Sequence, residues 1–377
     1  MTDFDIAIIG AGIAGASLAY RLAPHRRTVL LERESQPGYH STGRSAAMFM
    51  ESYGPPMVRA LTRASRAFYE SPPAGFSEVA LLHPRGALYV ATREQAPLLD
   101  ETYAALASTG GAIERLDGAA ALAMAPCLRP GFVHEALYER DAQDIDVGAL
   151  HQGFLRGFRR AGGTVRTSSE VVGAKRSQDV WEIALAEGEA VRAHVVVDAA
   201  GAWADDVARA FGAAPLGFEP RRRSAFTFRP PEGIDTARWP TVAGIDESWY
   251  FKPDAGQLLG SPANADPVAP HDVVPEELDI AIGIDRIESV TTLSIRRPTA
   301  TWAGLRTFAP DGEIVIGFDD AVPEFFWLAG QGGYGIQSAA GASSFASSLL
   351  LAEPLPAALR EQGVDAVALS PRRLRGA

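Results

Sequence analysis

Four consecutive apolar residues, Ile6 to Ile9, run into Gly10-Ala11-Gly12-Ile13-Ala14-Gly15 and then into an Ala- and Leu-rich stretch. This pattern predicts a fully buried strand, a tight turn and a helix. A second apolar run over 28–31 predicts another buried strand, ending at Glu32. The glycine- and hydroxyl-rich segment 38–47 reads as a loop that feeds a second helix. The period of 56–69, with Leu61, Ala64, Ser65 and Phe68 on one face, predicts a long helix. Residues 76–91 read as short strands broken by Pro84 and Gly86. Alternating elements return with a helix over 147–160, a strand over 164–167 and a hairpin through 180–193. An apolar strand over 195–197 then leads through Ala199-Ala200-Gly201-Ala202-Trp203 into a further helix. Residues 222–297 are β-rich, with strands at 224–228 and 249–251. The chain closes with strands over 312–317 and 325–329 and a glycine-rich lead-in, 330–337, to a last helix. No internal repeat or low-complexity tract interrupts this order.

The order is that of a mixed α/β chain in two interleaved domains. A parallel-sheet domain takes 1–48, 146–215 and 303–377, and an antiparallel-sheet domain takes 49–145 and 216–302. In the first corner, Gly10 permits the tight turn, Gly12 lets the backbone approach a pyrophosphate, and Gly15 lets the helix pack on the strand, with Ile13 and Ala14 between them. Unpaired amides at a helix N-terminus favour an anion there. Glu32 follows where a carboxylate accepts from both ribose hydroxyls and repels a 2′-phosphate. Glycines also mark ordinary strand–helix corners; the preceding apolar strand, the Ala-rich helix and the acid at this distance favour a Rossmann-like dinucleotide site. The second corner, at Ala200, Gly201 and Trp203, is aimed at the same crevice, as one large cofactor requires.

A formal net charge of −11 opposes binding to nucleic acid and to anionic membrane surfaces. Cys127 is the only cysteine, which rules out an intramolecular disulfide and fits a reducing cytoplasm. The seven histidines lack zinc-motif spacing, so no metal is expected. The first apolar run is broken by glycines and preceded by Asp3 and Asp5, which predicts neither a secretory signal nor a membrane span.

The G-A-G-I-A-G corner, the Glu32-Arg33 pair, G-Y-H-S-T-G-R-S-A-A at 38–47, D-A-A-G-A-W at 198–203, W-A-G-L-R at 302–306 and G-Q-G-G-Y-G-I-Q at 330–337 resemble the FAD-dependent D-amino acid oxidase and dehydrogenase (DAO) family. Within that family the likeness runs to the bacterial D-arginine dehydrogenases. It extends from about residue 6 to residue 373, through R-R-S-A-F at 222–226 and L-L-G-S-P-A-N-A-D-P-V at 258–268. The resemblance implies a glycine-oxidase type of fold, with a Rossmann-like FAD-binding domain and an antiparallel substrate domain, and a non-covalent, extended FAD. Gly10, Gly12 and Gly15 would lie at the pyrophosphate and Glu32 at the adenosine ribose. Arg33, Ser41, Thr42, Arg44, Ser45 and Ala47 would line the rest. Val171 would present backbone to the adenine, Gly201 would lie near the pyrophosphate, and Gly332, Gly333, Tyr334, Gly335, Ile336 and Gln337 would face the flavin.

The resemblance also implies oxidation of an α-amino acid by hydride transfer from Cα to flavin N5. Fixing one face of Cα needs a carboxylate clamp, which the planar fork of arginine serves best. Arg223 and Arg306 would be that clamp, helped by the hydroxyls of Tyr53 and Tyr250, with the Gly333 carbonyl and Gln337 near the amine. Five positions at the side-chain end of the pocket depart from the D-arginine pattern. Ala87 replaces a glutamate, Met48 a histidine and Met50 a threonine, and Thr241 and Ala243 replace larger apolar groups. These changes leave no carboxylate for a cationic side chain and a wider, less polar pocket, suited to neutral D-amino acids such as D-Leu, D-Met or D-Phe. No enzyme base is evident; a dry, arginine-lined site would itself deprotonate the substrate amine. The imino acid would hydrolyse to a 2-oxo acid and ammonia, with O2 or a quinone-like carrier as electron acceptor. Two alternatives stay open: oxidation of secondary amines or 2-hydroxy acids by the same clamp, and a flavin-binding module without turnover, suggested by Met48 in place of histidine.

Overall fold

The computed structural model describes residues 3–107 and 112–375. The strand Asp3–Ile9 pairs in parallel with Thr28–Leu31 on one side and Val191–Asp198 on the other, and lies inside an eight-stranded sheet. Thr164–Arg166 extends one edge. On the other side, Val191–Asp198 changes partner along its length, pairing with Val180–Leu185 at its start and with Phe325–Ala329 at its end. The helices Ile13–Leu22, Val147–Arg160 and Gly335–Leu350 pack on one face around Ile8, Leu18, Phe154 and Phe345. The helix Ala204–Ala210 packs on the other, with Val29, Trp181, Phe211 and Trp327.

A second, nine-stranded sheet runs Asp266–Pro267, Glu219–Phe228, Gln257–Ser261, Tyr250–Asp254, Thr241–Gly244, Ala87–Ala91, Glu135–Glu139, Ile113–Asp117. Ala300–Phe308 also pairs with Glu219–Phe228. All its pairs are antiparallel except Thr241–Gly244 with Ala87–Ala91. A small third sheet joins Met48–Phe49, Gln143–Ile145 and Leu82–Pro84.

Three local expectations change. Segment 38–47 feeds no helix: it forms one 3₁₀ turn, Ser41–Arg44, before the strand Met48–Phe49. The side chains of Ser41 and Arg44 bond to carbonyls of other elements, which ties the segment down as an extended wall. Within 222–297 lies a 14-residue helix, Glu277–Val290. Its Leu278, Ile280, Ile282 and Ile284 alternate like a strand, and Gly283 interrupts it. That glycine allows close packing, since a Cβ would stand 2.8 Å from Phe226 and 2.9 Å from Pro262. The 180–193 hairpin is part of a three-stranded meander that begins with Val171–Ser177.

Candidate active site

A cavity of about 340 Å³ opens where the parallel strands end. Its walls draw on three turns far apart in sequence, around Gly10 to Ala14, Ala199 to Trp203, and Gln331 to Ile336. Gly10 has φ +100°, and a Cβ there would stand 2.4 Å from the Ala199 carbonyl oxygen, so the first two turns touch through bare backbone. A Cβ on Gly15 would fall 1.9 Å from the Gly10 carbonyl oxygen, so the Ile13–Leu22 helix seats directly on the turn.

The polar groups of this cradle are ordered. The Ala11 amide donates to Glu32 Oε2 and the Ile13 amide to Thr42 Oγ1, both at 2.9 Å. Glu32 Oε1 accepts from the Glu34 amide at 2.9 Å. Each oxygen of this cavity-lining acid keeps a lone pair for a further donor, and burial raises its pKa. Arg33 stacks 4.8 Å from the Trp203 ring centroid and pairs with Glu34 and Glu170. Ser41 donates to the Leu305 carbonyl at 2.6 Å. Arg44 donates to the Val273 and Ala303 carbonyls at 2.9 and 3.1 Å, so both brace the wall. Ser45, Val171, Ala200, Gly201, Gly332, Gly333, Gly335 and Ile336 complete the expected lining, whereas Gly15, Ala47, Tyr334 and Gln337 lie outside it.

Three consecutive arginines, Arg221 to Arg223, are sorted by strand alternation. Arg222 is structural: it is buried against Asp279 at 2.9 Å, Asp266 at 3.6 Å and Glu276. Arg221 pairs with Glu219 and stacks on Phe308. Arg221 stands opposite Arg306 and Arg223 opposite Gly304 on adjacent antiparallel strands, which puts Arg223 and Arg306 on the same face as diagonal neighbours. Both line the cavity with Tyr250, and neither has a carboxylate partner in an ion pair among the described residues. Burial and the Arg306 charge lower the Arg223 pKa to about 10. Arg306 Nη1 donates to Tyr53 Oη at 3.2 Å. Gly333 lies against it, since a Cβ there would be 2.8 Å from Nη1.

The five side-chain-end positions gather around Tyr53, the partner of Arg306, and none of them lines the cavity itself. Met48, Met50, Ala87 and Ala243 share an apolar cluster with Tyr53 and Tyr89, and Thr241 Oγ1 donates to Met48 Sδ at 3.3 Å. Tyr89, 9% exposed, pairs in register with Ala243 and shares the cluster with Ala87. One expectation is corrected here, since carboxylates are not absent. Glu139 stands opposite Ala87 in register, on the same face of the sheet. Glu247, at φ +53°, tips the hairpin between Thr241–Gly244 and Tyr250–Asp254. Burial raises the Glu247 pKa while Arg223 and Arg306 draw it down. The expectation for Gln337 changes too. At 2% exposure its Nε2 donates to the Tyr53 carbonyl and to Thr62 Oγ1, both at 3.1 Å, and its Oε1 accepts from Met50 at 3.4 Å, so it holds the Tyr53 turn. The signal for Glu139 lay in Glu-Ala-Leu-Tyr-Glu at 135–139, where an acid occupies an inward position of an alternating strand.

Among the described residues no group of three or more His, Cys, Asp or Glu side chains could hold a metal ion. No helix there is long and apolar enough to cross a membrane.

Glycine turns at the ends of parallel strands, an acid closing the second strand and an unpaired arginine pair across the cavity define a dinucleotide-dependent oxidoreductase. Residues 5–348 match the family model described as FAD dependent oxidoreductase (DAO), and the chain belongs to this family. Its cofactor is FAD. Mouse mitochondrial dimethylglycine dehydrogenase is 25% identical over 371 residues, which cover 92% of this chain but 42% of the longer relative. Glycine oxidase from Bacillus licheniformis is 22% identical over 368 residues, 93% of this chain and 94% of its own. The crystal structure of glycine oxidase from Geobacillus kaustophilus superposes with a TM-score of 0.82 at 21% identity, covering 94% of this chain and 96% of that one, which establishes the fold.

Proposed function

We propose that the chain oxidises neutral, apolar D-amino acids to 2-imino acids, which hydrolyse to 2-oxo acids and ammonia. The observation that carries this reading is the pair Arg223 and Arg306, largely withdrawn from bulk water, facing the cavity and with no carboxylate at ion-pair distance among the described residues. Such an arrangement is costly until an anion arrives, and a substrate carboxylate supplies one in bidentate geometry.

The cradle fits FAD, since Gly10 and Gly15 exclude side chains from the turn and Glu32 faces the cavity with free lone pairs. Gly10, Gly12, Ile13 and Ala14 would hold the pyrophosphate, Glu32 the ribose, and Gly332, Gly333, Gly335 and Ile336 the flavin edge. Bound FAD supplies the two-electron oxidant that takes hydride at N5. The N-terminus of the Gly335–Leu350 helix points its positive dipole end into the cavity wall, where it would favour negative charge on a reduced flavin. Arg223 and Arg306 disfavour a further positive charge close by, so an amine docked beside the clamped carboxylate would bind in its neutral form, its proton left with water. The Gly333 carbonyl would accept from that amine, beside the Arg306 guanidinium, which a Cβ at 333 would approach to 2.8 Å. Met48, Met50, Ala87 and Tyr89 form the apolar cluster around Tyr53, toward which the substrate side chain would point. Both Glu139 oxygens are committed to the turn at 51–52, which leaves poor pairing for a guanidinium.

The position of Glu247 beside the arginines favours a second reading, an N-methylated or secondary amino acid whose amine stays cationic until it docks. The mitochondrial relatives are named for dimethylglycine. Anaerobic mixing separates the two. D-Met, D-Leu or D-Phe should bleach the flavin absorbance with higher kcat/KM than D-Arg, D-Lys, dimethylglycine or D-lactate, and L-isomers should leave it unchanged. Faster bleaching by dimethylglycine would support the second reading, and a protein bleached by none of them would sink both.

A further inference from the structure

The turn that presents Tyr53 has almost no backbone bonding of its own. The strand Met48–Phe49 ends before it and the helix Pro56–Glu70 starts after it. One backbone bond closes it, from the Tyr53 amide to the Met50 carbonyl at 3.4 Å. Side chains hold it instead: Arg66 bonds the Glu51 carboxylate at 2.6 Å, and the backbone of the turn is held by Glu139, the last residue of the strand Glu135–Glu139. Glu139 Oε1 accepts from the amide of Glu51 at 2.7 Å and from that of Ser52 at 3.4 Å, and Oε2 accepts from the Ser52 hydroxyl. From the opposite side Gln337 Nε2 donates to the Tyr53 carbonyl at 3.1 Å.

Glu139 is 4% exposed and forms no ion pair with lysine or arginine among the described residues. A buried carboxylate without a cation is stable only if hydrogen bonds satisfy it, and here all three come from the one turn. The turn ends in the Tyr53 hydroxyl, which accepts from Arg306 at 3.2 Å, the one hydrogen bond of that guanidinium among the described residues. A chain of direct contacts therefore runs from Glu139 through residues 51–53 to Arg306.

We propose that Glu139 is a positioning residue for substrate binding: by fixing the 51–53 turn it holds Tyr53 against Arg306 and sets the orientation of the fork that receives a carboxylate. This rests on the reading of Arg223 and Arg306 as the clamp. Charge-assisted bonds to backbone amides are among the stronger ones, so their loss frees the turn rather than merely weakening it.

The test uses the flavin-loaded protein and benzoate, a carboxylate that cannot be oxidised at an amine, with binding read from the shift in flavin absorbance. Glu139→Ala should weaken benzoate roughly tenfold or more, while Glu139→Gln, which keeps an acceptor for the Glu51 amide and a partner for Ser52, should stay within about threefold of the parent. In the Tyr53→Phe background Glu139→Ala should add less than about twofold, because both act through one hydroxyl. If Glu139→Ala comes out without flavin, Glu139→Asp, shorter by one methylene, takes its place with the same expected weakening at full flavin content. Unchanged benzoate binding in the Ala or Asp variant, or a full additional loss on top of Tyr53→Phe, would overturn the role of Glu139 and leave the clamp intact. A parent protein whose flavin spectrum ignores benzoate would instead refute the clamp, and the positioning role with it.

Discussion

Ala87→Glu restores the acid that the D-arginine pattern carries, but the structure makes its consequence more than a change of substrate. Ala87 is 2% exposed and stands opposite Glu139 in register. Side chains in such a pair start about 5 Å apart on one face. Two carboxylates at about 5 Å repel by roughly 3 kcal/mol at an effective dielectric of about 20. That corresponds to roughly two pKa units, added to a Glu139 that burial already raises. The folded pair thus binds a proton more tightly than the unfolded chain. Its stabilising contribution is complete below the unfolded pKa of about 4.3 and is lost as pH rises through the raised folded pKa. The variant should therefore melt roughly 4 °C below the parent at pH 8, with a smaller gap at pH 5.5. D-Arg, whose guanidinium can sit between the two acids, should raise the variant's Tm, and kcat/KM for D-Arg relative to D-Met should rise at least about tenfold. The checks are thermal melts of the flavin-loaded protein at the two pH values and steady-state rates on both substrates. A variant that melts with the parent at pH 8 would refute the reasoning, since residues 87 and 139 would then not share a face.

Arg306→Lys keeps the charge but loses the fork that Tyr53 and Gly333 hold in place, and should lower kcat/KM by about 30- to 1000-fold. A loss below threefold in steady-state assays would remove Arg306 from the clamp. Gly15→Ala drives a Cβ to 1.9 Å from the Gly10 carbonyl, so the helix must lift off the turn. The purified variant should carry less than roughly a tenth of the parent's flavin, measured by absorbance after heat release, and full occupancy would show that the helix can shift at little cost.

Local patterns were legible and long-range register was not. The corner at Gly10 to Gly15 could be read because strand, turn and helix are contiguous and the spacing of the glycines is itself the constraint. The helix Glu277–Val290 was missed because its isoleucines alternate and its glycine, placed for contact with Phe226 and Pro262, looks like a breaker. Arg221, Arg222 and Arg223 are equivalent in sequence. Only pairing with Ala300–Phe308 and the acids of the 277–290 helix separate a structural arginine from one that faces the cavity. Ala87 read as the loss of a carboxylate because nothing local says that Glu139 lies across from it.

The partner switch along Val191–Asp198 has a consequence for the life of the nascent chain. The first strand gains one neighbour only when residues 191–198 exist, and the end of that neighbour, 196–198, gains its own only with 325–329. At synthesis rates of roughly 5–20 residues per second, about fifteen seconds to a minute separate the first strand from the completion of its sheet. During that interval Ile6 to Ile9 lack their native layer and are open to wrong partners. The cofactor cradle needs the turns at Gly10, Gly201 and Gly332 together, so FAD engages only the finished fold and acts as its last staple. By mass action, a cofactor that binds only the finished fold stabilises that fold in proportion to its supply.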